Sequence, residues 1–242
     1  MKHQHIFWAF GIFCLLVPIA GFAQAATAIA AGEPVSFSLD MVFTFLFLTL
    51  GPLKIIQPFW LLTKDRNAAF RRKLALSSSV IALIAAILAA TIGAKILMKW
   101  HILPAAAALT AGILLFLIAL KTVMQQYGSA KSEAPEKSDT QAPSVAQLAF
   151  SPLAFPTIVT PYGAALLIVM VTVSNGQMVE ILSITAIIFG LNFLTMLVAR
   201  RIMKWSPAVA LLGILGSVMG VLQVALGVQT ILKSLYILGL KV

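Results

Sequence analysis

Apolar positions in this chain gather into long runs separated by short polar stretches, at about residues 40 to 62, 74 to 98, 103 to 123, 147 to 173, 178 to 203 and 207 to 232. Each run exceeds the roughly 20 residues that a helix needs to cross a hydrocarbon core of about 30 Å. The pattern predicts six membrane-spanning helices. Two of the runs are interrupted by proline, at Gly51-Pro52-Leu53-Lys54-Ile55-Ile56-Gln57-Pro58 and at Ser151-Pro152-Leu153-Ala154-Phe155-Pro156, which continues to Thr160-Pro161-Tyr162-Gly163. A proline inside a helix removes a donor and frees a carbonyl, and such a break persists in a membrane only where protein or water covers it. Matched breaks in two halves of one chain point to a transporter-like site near the membrane midplane.

Before the first span, Lys2 is followed by an apolar run from Ile6 to Phe22 and then by Ala23-Gln24-Ala25. This small-x-small pattern reads as a signal peptide over residues 1–25, against an uncleaved anchor helix as the rival. Residues 128–146 are rich in Ser, Ala, Pro, Glu and Lys. They are too polar to bury a core and read as a flexible cytoplasmic linker between two sets of three spans, 40–127 and 147–235. Since three is odd, the second set enters from the opposite side, the geometry of an inverted repeat. A plain six-helix bundle with kinks is the alternative, because proline is frequent in membrane helices.

Charge fixes the orientation. Lys64, Arg66, Arg71, Arg72 and Lys73 follow the first span, and Arg200, Arg201 and Lys204 close the fifth. Positive loops are held on the cytoplasmic side, so both mature termini are expected in the periplasm of a bacterial cell, with the chain multi-pass in the inner membrane. Composition agrees with a chain dissolved in lipid: 61% of the 242 residues are hydrophobic and 10% charged. The net charge of +10 sits beside apolar spans rather than on an aromatic-laced basic face, which argues against a nucleic-acid partner. The sole cysteine, Cys14, lies in the signal segment.

Chemistry is concentrated at the two breaks. Lys54 lies between two prolines half-way through an apolar run, where a charge costs about 2.5–3.5 kcal/mol on insertion scales. It either meets a solute or donates to carbonyls freed by Pro52 and Pro58, and the sequence leaves both open. Thr49 and Gln57 add hydrogen-bonding groups, as do Thr157, Thr160 and Tyr162 on the other broken span. Pro52, Pro58, Pro156 and Pro161, with Gly51 and Gly163, are expected to shape the breaks. Unpaired N–H groups at half-helix N-termini favour a carboxylate, so a zwitterionic small molecule suits the pocket.

Asn192 and Thr195 share a face of the fifth span, and Asn192 is read either as interhelical glue or as a solute contact. Gly213, Gly216, Gly220 and Gly227 mark close packing in the sixth, with a homo-oligomer seam as the sharper reading. No nucleotide-binding loop, Cys/His metal motif or acid–base set is evident, so no cofactor, metal or enzyme activity is expected. Asp40 and Glu180 lie at span ends. A carboxylate relay is therefore not evident, although carbonyls at a broken helix suit proton or sodium coupling.

These residues resemble the MarC family of bacterial integral membrane proteins. The likeness rests on Gly51-Pro52-Leu53-Lys54-Ile55-Ile56-Gln57-Pro58-Phe59 to Leu61-Leu62-Thr63, on Arg71-Arg72, on the run from Ala111 to Leu120, and on Pro152 to Pro156 leading to Pro161-Tyr162-Gly163. It covers about residues 40 to 235 and implies six helices in two inverted three-helix repeats, the first helix of each broken by proline. Relatives resemble transporters of small neutral amino acids. Many members carry Asn-Pro and a nearby glycine where this chain has Gly51-Pro52 and Lys54. A common Gly-Pro-Gly is replaced here by Thr160-Pro161-Tyr162-Gly163. The resemblance thus implies a secondary transporter or exporter of a small polar solute; a non-transporting membrane scaffold that binds another membrane protein is the alternative.

Overall fold

A computed structural model describes residues 39–127, 145–173, 176–204 and 206–239. The signal peptide expected over residues 1–25 and the stretch 128–144 lie outside the described residues. The described chain is helical throughout: α1 Leu39–Leu50, a 3-10 turn Pro52–Lys54, α2 Ile56–Thr63, α3 Ala68–Lys99, α4 Pro104–Tyr127, α5 Val145–Leu148, a segment of wide turns Ala149–Ile158, α6 Pro161–Val173, α7 Met178–Met203 and α8 Ser206–Ile237. Five stretches are long and apolar enough to cross a membrane, or six if α6 and the bent segment before it form one span.

Proline sterics explain where the helices stop. The residue before a proline is pushed out of the α region towards extended backbone. Gly51 before Pro52 has φ −75° and ψ 170°, while Ser151 and Phe155, before Pro152 and Pro156, have φ near −132° and ψ near 130°. Both of those X–Pro bonds are cis. Pro161 instead occupies the first position of α6, where its fixed φ suits the helix and its missing N–H is not needed. Pro58 also lies in a first turn, that of α2, so it starts a helix rather than breaking one. Across the second break the chain turns by 63°.

The span boundaries differ from the sequence expectation at two places. The second span begins at Ala68, not near 74, because the Asn67 side chain accepts from the Phe70 N–H at 2.8 Å and caps the helix there. Arg71, Arg72 and Lys73 consequently ride on the first turns of α3 and not in a loop. The last helix continues to Ile237, a full turn beyond the expected 232.

Along the middle of α3, small residues face inward and large ones outward. On α3, Ala82, Ala86, Ala90 and Ala94 form a buried stripe at four-residue spacing, while Leu76, Val80, Ile84, Leu88 and Ile92 are exposed on the opposite side. A water-soluble helix would invert this arrangement; one surrounded by acyl chains gains nothing by hiding leucine and gains contact by bringing backbones together. The α3 stripe packs on α6, α7 and the wide-turn segment, and the most extensive pairing is α4 with α8. There Gly227 brings the two backbones so close that an added Cβ would lie 2.7 Å from the Phe116 nitrogen. Helices α1 and α2 both lie against α7, so the break between them is enclosed by protein.

Candidate functional site

Helix α1 ends inside the bundle, which leaves its last carbonyls without intrahelical partners. A buried carbonyl left unpaired costs about 1–3 kcal/mol, so the end must be satisfied by side chains. Three are, each from a different part of the chain. Gln223 on α8 donates to the Leu48 carbonyl, the Lys54 ammonium donates to the Thr49 carbonyl at 3.3 Å, and the Asn192 amide on α7 donates to the Leu50 carbonyl at 2.9 Å. Gly51 allows the turn itself: an added Cβ would stand 1.8 Å from the Phe47 carbonyl oxygen.

The same ammonium reaches across to the other broken segment. Lys54 Nζ hydrogen-bonds the Tyr162 hydroxyl and lies 4.9 Å from the centre of that ring. Tyr162 belongs to the first turn of α6, which Thr160 caps: the Gly163 N–H donates to Thr160 Oγ1 at 3.2 Å. Gly163 also brings α6 up to α1, since a Cβ there would fall 2.5 Å from the Leu50 side chain. The C-terminal end of one half-helix thus meets the N-terminal end of another, with a lysine, a tyrosine and an amide at the junction. The Asn192 amide oxygen is buried there with no hydrogen-bond partner.

The expected site residues divide accordingly. Lys54, Thr160 and Asn192 gather at the junction, with Gly51, Pro52, Pro161 and Gly163 shaping it. Gln57 is exposed on α2, and the Thr157 hydroxyl is turned back to the Pro152 carbonyl at 2.7 Å, within its own segment. Thr49 and Thr195 likewise donate to carbonyls four residues back, at 2.8 Å each. Such back-bonding satisfies a hydroxyl without a ligand. Tyr162 proves more central than Gln57 or Thr157. Gln223 was not singled out by sequence reasoning, though a lone amide in the middle of an apolar helix was the signal that could have found it.

These observations define a polytopic, all-helical membrane protein whose interior holds a polar junction between interrupted helices. The chain belongs to the MarC family of integral membrane proteins, whose family model matches residues 37–238. No curated protein and no solved structure matches it.

Proposed function

We propose that this chain is a secondary transporter or exporter of a small polar solute, one resembling a neutral amino acid, and that the α1–α6 junction is its binding site. The observation that carries this reading is the convergence of Lys54, Tyr162 and the unpartnered amide oxygen of Asn192 where two half-helices meet inside the bundle. Intramembrane charge and interrupted helices are the devices by which transporters bind solute away from water. A solute carboxylate takes the place of the Tyr162 hydroxyl at the Lys54 ammonium, and a solute donor meets the Asn192 oxygen. Residues 40–127 and 147–235 act as two inverted three-helix repeats that rock against one another around this point. The protein lies in the bacterial inner membrane with both mature termini periplasmic, and a proton or sodium ion drives the cycle.

Uptake and counterflow in proteoliposomes, against a panel of small amino acids, test the proposal. The expected result is transport of at least one solute, abolished in Lys54→Ala and reduced in Tyr162→Phe, which keeps the ring but removes the hydroxyl. Failure to transport any solute, with Lys54→Ala indistinguishable from the parent in cells, would favour the scaffold reading instead.

A further inference from the structure

Among the described residues, cations also converge away from the junction. A cleft of about 540 Å³ opens between the first turns of α3 and the last turns of α7, lined by Arg71, Leu197, Val198, Arg200, Arg201 and Lys204. Four of its six lining side chains are cationic and none is acidic. Arg200 lies in the last turn of α7 and Lys204 caps its end four residues on, a spacing at which like charges repel. The C-terminal end of the α7 dipole offsets part of this repulsion, as it would for any terminal cations. It does not account for Arg71, which arrives from a different helix. Arg71 is held in place by the Asn67 cap that sets the start of α3 and by its own donation to the Arg66 carbonyl at 3.3 Å.

We propose that this cleft binds a phosphate-bearing anion, with Arg71, Arg200, Arg201 and Lys204 as its ligands. Guanidinium groups match phosphate oxygens through paired, charge-assisted hydrogen bonds, and three of the four cations are arginine. Basic pockets between membrane helices at the end of the spans suit anionic headgroups. Leu197 and Val198, each 43% exposed, continue the lining as an apolar surface against which an acyl chain can lie. The phosphate comes either from a phospholipid headgroup or from a soluble phosphate, and the chemistry of the ligands is shared by both. Nothing in this inference depends on transport, so it stands or falls separately from the site at the α1–α6 junction.

The test is native mass spectrometry of the purified full-length chain in uncharged detergent. It is titrated separately with phosphatidylglycerol, cardiolipin, phosphatidylcholine, inorganic phosphate and pyrophosphate. Preferential retention of the anionic lipids over phosphatidylcholine identifies a headgroup; retention of phosphate or pyrophosphate identifies a soluble ligand. Each cation removed weakens binding roughly fivefold, so the double variant Arg200→Gln/Arg201→Gln loses about 25-fold. Arg72→Gln is the charge control, because Arg72 is exposed beside Arg71 and does not line the cleft; it changes binding less than about twofold if local geometry and not general charge is read. Arg71→Gln gives an independent reading from the other helix should the double variant melt early. The proposal is overturned if none of the anions is retained above phosphatidylcholine, or if Arg72→Gln weakens binding as much as the cleft variants do.

Discussion

Replacing Gly51 with alanine addresses the helix break most directly. The added Cβ would fall 1.8 Å from the Phe47 carbonyl oxygen and 2.9 Å from its carbon, whereas real Cβ contacts under 3.0 Å are essentially never seen. The obstructing atoms are backbone, so no rotamer change relieves them and the last turn of α1 must move by more than 1 Å. That turn carries the Leu48, Thr49 and Leu50 carbonyls with their three side-chain partners. A displacement of this size stretches the 2.9 Å bond from Asn192 beyond hydrogen-bond range. Losing two of the three partners, at about 1–3 kcal/mol each, gives a destabilisation of roughly 2–6 kcal/mol. For a chain of this length that corresponds to a fall of about 5–20 °C in melting temperature. Thermal unfolding in detergent measures it, with Gly213→Ala and Gly216→Ala as internal controls: contrary to the close packing expected of them, an added Cβ at either meets nothing within 4 Å, and the tight positions on α8 are Gly220 and Gly227. Both controls should stay within about 0.5 kcal/mol of the parent. If Gly51→Ala melts together with the controls, the account of the α1 end is wrong.

Three further substitutions probe other parts of the same construction. Gly227→Ala places a Cβ 2.7 Å from the Phe116 nitrogen and 2.8 Å from its Cα, so α8 must withdraw from α4 and thermal stability should fall by about 1–3 kcal/mol. Thr160→Val removes the oxygen that accepts from the Gly163 N–H; it should lower stability by about 1 kcal/mol, with Thr160→Ser restoring most of the loss in the same melting experiment. Gln223→Leu leaves the buried Leu48 carbonyl without its donor, and a melting-temperature drop equivalent to about 1–3 kcal/mol is expected.

The spans were legible because bilayer thickness imposes length and composition on every crossing helix, but the expected start of α3 lies near 74 rather than at Ala68, because the polar stretch that holds the Asn67 cap reads as a loop. The halting points of α1 and of the wide-turn segment were legible for a local reason: residues before proline avoid the α region wherever they stand. Side-chain direction was a different matter. Thr49, Thr157 and Thr195 read as polar groups in an apolar span, and sequence does not say whether a hydroxyl turns to a pocket or to its own helix; all three turn to nearby backbone carbonyls. Gln57 follows the break immediately, yet it is exposed on α2 because the helical phase after Ile56 sends Ile56 and Phe59 inward instead. The partnership of Lys54 with Tyr162 spans 108 positions, and that of Gln223 with Leu48 spans 175. Such pairings are decided by how helices pack, which a single sequence records only in part.

The chemistry of the α1 end bears on why a charge stands there. Three successive carbonyls are capped, and for the outer two, Leu48 and Leu50, a neutral amide suffices. The middle one, Thr49, is capped by an ammonium, which costs about 2.5–3.5 kcal/mol more than an apolar residue would to place within a span. Capping alone calls for one donor, and a neutral donor meets that need without burying charge. The ammonium supplies three donors, of which the Thr49 carbonyl and the Tyr162 hydroxyl occupy two. Its charge therefore exceeds what the helix end requires. Under the proposed function the structural and solute-binding readings of Lys54 are for this reason not rivals: one hydrogen bond fixes where the ammonium stands, and the remaining charge is the feature proposed to attract a carboxylate-bearing solute.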